Sequence, residues 1–135
     1  MRVVLDTNVL VSGVLSPYGP PGRLLDLVLA GDLVLVVDDR LLSEYAAVLA
    51  RPRFGLPAAQ VAAFMRHLRT AAEAVGARAL DIALPDADDV PFPEVAAAGE
   101  AALVTGNARH FRPARGRGRH AVRVVSPREV LGLLG

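Results

Sequence analysis

Residues 24–49 read LLDLVLAGDLVLVVDDRLLSEYAAVL, and this stretch decides the fold. Leu24 to Ala30 is a short helix, introduced by Pro20–Pro21 and stopped by Gly31. Proline fits the first helical turn, and glycine fits the left-handed position just past the last. Leu33 to Val37 is an unbroken apolar run rich in β-branched residues, the composition of a strand covered on both faces. Asp38 or Asp39 caps the next helix, Arg40 to Arg51, by accepting from its free backbone N–H groups. At about 100° per residue, Leu41, Leu42, Tyr45, Val48 and Leu49 share one arc of that helix, with Glu44 at its border. A carboxylate at that border reaches a cleft between helix and sheet.

The same alternation continues on either side. Val3–Val4–Leu5 is a short buried strand ending at Asp6. Pro57 opens a longer helix with Val61, Phe64, Met65, Leu68 and Val75 on one face, and Gly76 ends it. A weak strand is expected at Leu80 to Leu84, followed by the acidic turn Asp86 to Asp89 and a helix over Glu94 to Ala98, its start blurred by Pro91 and Pro93. Ala101 to Thr105 and Val122 to Val125 are further strands, the first followed by the turn Gly106–Asn107. Ser126, Pro127 and Glu129 form a capping box that starts a C-terminal helix. Arg112 to Arg119 is the one low-complexity patch and reads as a loop. No repeat or linker interrupts the pattern. The expectation is an α/β fold: a single three-layer α/β/α domain over residues 1–135 with a central parallel sheet of four or five strands.

Composition narrows the chemistry. The chain has 135 residues, 53% of them hydrophobic, enough for a core. It has no cysteine, which excludes disulfides, thiolate metal sites and thiol nucleophiles and suits a reducing cytoplasm. All 15 basic residues are arginine, and seven of them lie between Arg109 and Arg128, where there is no acid. Most carboxylates lie earlier, so a basic surface beside an acidic site is expected. No segment reaches the ~18 apolar residues of a membrane helix: Asp26 and Asp32 break the longest run. Asp6 and Asn8 likewise interrupt the start where a signal peptide would be apolar. A soluble cytoplasmic protein is expected.

Asp6 ends a strand and Asn107 lies just past another. In open parallel sheets ligands bind beyond the carboxyl ends of strands, where the strand order reverses. If Glu44 and the turn Asp86–Asp89 converge there, three or more carboxylates share one cleft. Like charges at that distance raise one another's pKa, and a divalent cation relieves them. Hard oxygen ligands without histidine or cysteine favour Mg²⁺ or Mn²⁺ over Zn²⁺. Each acid also has a plainer reading. Asp6 serves as a strand-end turn residue, Glu44 as a half-exposed helix residue, and one or two of Asp86, Asp88 and Asp89 as turn or cap residues. His67, His110 and His120 stand at no ligand spacing and read as surface residues.

Four motifs in order add a resemblance. Val3-Val4-Leu5-Asp6-Thr7-Asn8-Val9-Leu10 resembles the opening of PIN-domain nucleases, and Ser43-Glu44-Tyr45 their second motif. Pro85-Asp86-Ala87-Asp88-Asp89-Val90-Pro91-Phe92 resembles the third, and Leu103-Val104-Thr105-Gly106-Asn107 the fourth. The closing segment Val124 to Leu131 resembles the branch described as toxin components of toxin–antitoxin systems, the VapC-like ribonucleases. The likeness covers nearly the whole chain. It implies a Mg²⁺- or Mn²⁺-dependent endoribonuclease, working as a homodimer with RNA as substrate and an antitoxin protein as partner. By the same resemblance Asp6, Glu44 and Asp89 are the metal-binding and catalytic acids. Asp89 is preferred to Asp88 because Phe92 and Ala96 then fall at the family's apolar positions. Asn8 orients Asp6, and Thr105 lines the cleft. Asn107 stands where many members carry an acid, and a neutral amide leaves one metal or two open. Arg109, Arg112, Arg115, Arg117 and Arg119 are candidates to bind RNA phosphates as bidentate forks.

The rival folds lack a residue they need. A phosphoacceptor receiver domain and a P-loop both require a lysine, and there is none. A haloacid-dehalogenase-like phosphatase needs an aspartate two positions after its nucleophile, where this chain has Asn8. The alternative left standing is a catalytically weak PIN-like module that binds RNA or a protein partner.

Overall fold

The computed structural model describes residues 1–115 and 121–135. Five strands, β1 (Arg2–Leu5), β2 (Val34–Val37), β3 (Glu73–Ala74), β4 (Ala102–Val104) and β5 (Val124–Val125), form one parallel sheet in the order β3-β2-β1-β4-β5. Among the described residues six α-helices surround it: α1 (Thr7–Leu15), α2 (Pro20–Ala30), α3 (Asp39–Leu49), α4 (Ala58–Ala71), α5 (Pro91–Ala98) and α6 (Pro127–Leu133). They flank the sheet on both faces, as the α/β/α expectation required. Val3, Val4, Leu5, Leu35, Val36, Leu103 and Val104 are all fully buried, which is why the central strands read as unbroken apolar runs. No helix among the described residues is long and apolar enough to cross a membrane.

The punctuation works as its chemistry demands. Gly31 ends α2 in the left-handed conformation at φ 85°. The Asp38 carboxylate accepts from the Leu41 N–H at 3.1 Å and caps α3. Ser126 and Glu129 complete both halves of their capping box at 3.1 Å. Pro91 opens α5, and Pro93 sits in its first turn, where no intrahelical N–H is lost.

Three elements depart from expectation. Helix α1 lies where no element is expected from sequence. Val9, Leu10, Val11 and Gly13 are buried while Asn8, Ser12 and Leu15 form one exposed edge, so the helix is short, mostly apolar and only narrowly amphipathic. The strand expected at Leu80 to Leu84 is absent; the edge strand is instead Glu73–Ala74, pairing with Val36 and Val37 inside the stretch assigned to the preceding helix. Both its residues are exposed. It is held through backbone bonds and carries no burial pattern to read. Helix α4 therefore stops at Ala71, short of Gly76. The loop expected from Arg112 begins as a 3-10 run, Ala108–Arg115, which buries Phe111 and Ala114; its remainder lies outside the described residues.

Buried polar contacts fix how the pieces meet. The fully buried Tyr45 of α3 donates its hydroxyl proton to the Leu5 carbonyl at the end of β1. Glu94 of α5 is buried, pairs with Arg40 at 2.8 Å and accepts from the Leu80 N–H at 2.9 Å. That one carboxylate ties α3, α5 and the irregular chain after β3 together.

Backbone contact between α2 and the preceding loop gives a sharp test. A Cβ on Gly22 meets the backbone of Pro17, whereas one on Gly132, in α6, meets nothing within 4 Å. Alanine gains up to about 1 kcal/mol over glycine in an open helix, but overpacking costs about 1–3 kcal/mol. Gly22→Ala should therefore lower stability in urea unfolding while Gly132→Ala is neutral or stabilising; equal effects at both sites would contradict the packing.

Candidate functional site

The chain runs from β1 outward to β2 and β3, then returns to place β4 on the other side of β1. The order thus reverses between β1 and β4, and the crevice beyond their carboxyl ends is the expected ligand position. Asp6 follows β1, and its N–H bonds to the Val104 carbonyl at 2.9 Å, the last link between the two strands. A cavity of about 250 Å³ opens there. Asp6, Glu44, Asp86 and Asp89 line it, together with Asn8 and His110. Carboxylates from three distant parts of the sequence therefore face one space.

Two threonines hold two of these acids. Thr105, just past β4, donates its hydroxyl to Asp6 Oδ2 at 2.8 Å. Thr7, the residue after Asp6, donates its hydroxyl to Glu44 Oε2. Asn8 is exposed and, among the described residues, makes no hydrogen bond to Asp6. The group that orients Asp6 is the Thr105 hydroxyl, which also receives the Asn107 N–H at 3.0 Å. Asp86 is the turn residue of the acidic segment, its carboxylate accepting from the Asp88 N–H at 2.9 Å. Asp88 is exposed and does not line this cavity, whereas Asp89 does.

The electrostatics are those of crowded carboxylates. Burial pushes the Asp6 carboxyl above its ordinary 3.8; hydrogen bonds from Thr105 and the Thr7 backbone oppose the shift, and Glu44 adds to it. Asp89 is raised to about 6, first by partial burial and then by the charges of Asp6 and Asp86, with a further push from Glu44. His110 acts against both shifts, its Nδ1 lying 3.8 Å from Asp89 Oδ2. His110 is exposed, as its reading from sequence expected, and it also lines the cavity, which that reading did not foresee.

Among the described residues, no three Asp, Glu or His side chains stand close enough to cage a metal ion. The donor set still suits a hard divalent cation: carboxylate oxygens alone, two of the acids held by hydroxyls, with the Asp6 and Asp89 pKa values raised. Mg²⁺ in particular is bound through one or two carboxylates, with water and substrate filling its shell.

Of the arginines expected to bind phosphate, Arg109, Arg112 and Arg115 are exposed but do not line the cavity, and Arg117 and Arg119 lie outside the described residues. Arg115 instead donates to the Val124 carbonyl at 3.3 Å. The arginines that do line it are Arg51 and Arg53. Sequence offered a signal for the first: Glu44, Val48 and Arg51 follow the four-then-three spacing of one helical face.

The fold and site define a PIN-type α/β protein. The PIN domain family matches residues 2–109, and the chain belongs to that family. Its fold resembles the crystal structure of VapBC2 from Rickettsia felis bound to a DNA fragment from their promoter. That match has a TM-score of 0.62 at 16% identity and covers 93% of this chain and 98% of the other. An uncharacterized protein of Methanocaldococcus jannaschii, MJ1680, is 34% identical over 53 residues, spanning 39% of this chain and 34% of that protein.

The raised carboxyls give a pH prediction. An aspartate whose folded pKa exceeds its unfolded value opposes folding once ionised, so stability falls as pH rises from about 4 through about 6. Metal-free protein should melt lower at pH 7.5 than at pH 5, with a smaller drop in Asp89→Asn. Added Mn²⁺ should raise the melting temperature of the wild type at pH 7.5 and of the variant much less. Identical pH profiles for the two proteins would remove the like-charge account.

Proposed function

We propose that the chain is a metal-dependent endoribonuclease, acting as the toxin of a toxin–antitoxin pair in the cytoplasm. The observation that carries this reading is the convergence of Asp6, Glu44 and Asp89 on one cavity at the reversal of strand order. Membership of the PIN family supports it. Asp6 and Asp89 would hold Mg²⁺ or Mn²⁺, with Glu44 as a further ligand or as the group that positions water. The bound cation supplies an activated water and stabilises charge developing on a phosphodiester.

The remaining work falls to the chain itself. Thr105 fixes the rotamer of Asp6, so one carboxylate oxygen is committed to the hydroxyl and the cost of ordering the acid is met before any ligand arrives. Thr7 does the same for Glu44. His110, beside Asp89, is placed to exchange a proton at the cavity wall. Asn107 contributes a neutral amide where an acid would add charge, which favours one metal over two. Arg109, Arg112 and Arg115, exposed outside the cavity, would hold flanking phosphates, and Arg117 and Arg119 are proposed for the same role on the sequence alone. Residues 1–135 would act as one domain and assemble as a homodimer. The antitoxin is proposed to block the acidic cavity.

One observation favours the competing reading, a binding module of the same fold: the acids are spread around the cavity rather than gathered into a cage. Incubation of mixed RNA with and without Mn²⁺ separates the two. Wild-type cleavage should require the metal, and Asp6→Asn, Glu44→Gln or Asp89→Asn should each lower the rate by at least about a hundredfold. Thr105→Val should weaken Mn²⁺ binding by about ten- to a hundredfold through loss of orientation. Cleavage that persists in all three acid variants would assign the activity elsewhere.

A further inference from the structure

The turn after α3, Arg51-Pro52-Arg53-Phe54-Gly55, brings Arg51, Arg53 and Phe54 to the wall of the acidic cavity. Both arginines are exposed. Among the described residues, neither guanidinium forms an ion pair or donates a hydrogen bond, although Asp6, Glu44, Asp86 and Asp89 line the same space. The Arg53 guanidinium instead lies over the Phe54 ring, 4.8 Å from its centroid. Two cations are thus held beside a nest of acids without being consumed by it.

The turn is built to stay in place. Pro52 limits the backbone, Phe54 N–H bonds to the Arg51 carbonyl at 3.1 Å, and Gly55 N–H to the Pro52 carbonyl at 3.0 Å. Gly55 takes the left-handed conformation at φ 63°. Phe54 is half-buried and packs against the core. A preorganised wall loses less entropy on binding than a free loop.

We propose that this turn is the strand clamp of the cavity and selects single-stranded RNA. Its guanidinium groups fork a phosphate next to the one facing the acids, and the Arg53–Phe54 stack receives an unstacked base. The charge pattern argues for it. A polyanion entering a carboxylate-lined cavity is repelled unless cations stand on one wall, and these two are free to serve. The stack argues for the single strand, because paired bases in a duplex offer no open face. An acidic protein segment would use the arginines but not the stack. This inference rests on the ribonuclease reading and deepens it.

Binding can be measured without cleavage in full-length Asp6→Asn protein, using fluorescence anisotropy with a labelled single-stranded RNA, a blunt RNA duplex and poly-glutamate. Adding Arg51→Ala with Arg53→Ala should weaken single-strand binding about tenfold or more. It should also reduce the salt slope by about 0.7, the share of one neutralised phosphate on a single strand. Phe54→Leu, which keeps the apolar packing, should weaken the single strand about fivefold or more and leave the duplex unchanged. Melting temperature and Mn²⁺ binding, measured with wild-type Asp6, should not move in the arginine variant. Unchanged RNA affinity and slope in both variants would overturn the clamp while leaving wild-type cleavage to stand. Loss of poly-glutamate binding alone would also overturn it, assigning the turn to a protein partner. RNA binding that depends on the turn in a wild type unable to cleave would retain the clamp and discard the nuclease.

Discussion

The structure depends on keeping a carboxylate at the end of its central strand. Asp6 is 7% exposed and sits where β1 and β4 part, so its charge is taken out of water with little compensation from bulk solvent. The Thr105 hydroxyl and the Thr7 backbone N–H return part of that loss, and the raised pKa records what they do not return. Everything nearby is arranged around this residue. Val104 fixes its backbone, Tyr45 fixes the carbonyl just before it, and Thr7 passes the constraint on to Glu44. The cavity is a place of stored electrostatic tension on an otherwise apolar scaffold.

That tension explains the division of labour between scaffold and site. The apolar strands and the inner faces of the helices supply the stability, with each fully buried Leu or Val side chain contributing about 1.5–3 kcal/mol. Against that background a few disfavoured carboxylates are tolerable. The Arg40–Glu94 pair is a different case, because the buried carboxylate is matched by an exposed guanidinium and its spare oxygen takes a backbone N–H. Matched acids serve architecture here, and unmatched acids face the cavity.

Much of the fold was legible because its signals were local: the glycine stop at Gly31, the cap at Asp38, the capping box at Ser126, and β-branched runs for the central strands. Helix α1 was not, since its exposed edge carries only two polar residues, Asn8 and Ser12, beside the apolar Leu15, and so narrow a polar stripe sets a weak period. The edge strand Glu73–Ala74 was not, since its pairing is backbone to backbone and its side chains face solvent. In the site, the joint placement of Asp6, Glu44 and Asp89 was legible because strand ends and a helix-face border are positions sequence can name. The partners that hold them are another matter. Thr7 looks like any strand-end threonine until the fold brings it to Glu44, 37 residues along the chain. Thr105, expected to line the cleft, gives no sign in sequence that its hydroxyl holds Asp6, 99 residues away. Arg53 and His110 lie on 3-10 turns, whose direction follows from tertiary packing alone.

The position of β4 carries a consequence for biosynthesis. The first strand lies at the middle of the sheet, with β2 on one side and β4 on the other. A nascent chain can pair β1 with β2 early, but the second flank is missing until Val104 has left the ribosome. At about 5–20 residues per second, the polypeptide spends seconds with Asp6 made but its hydroxyl partner not yet synthesised. The acidic cavity therefore cannot close before Thr105 has been made, and until then a growing copy carries Asp6, Glu44 and Asp89 unassembled.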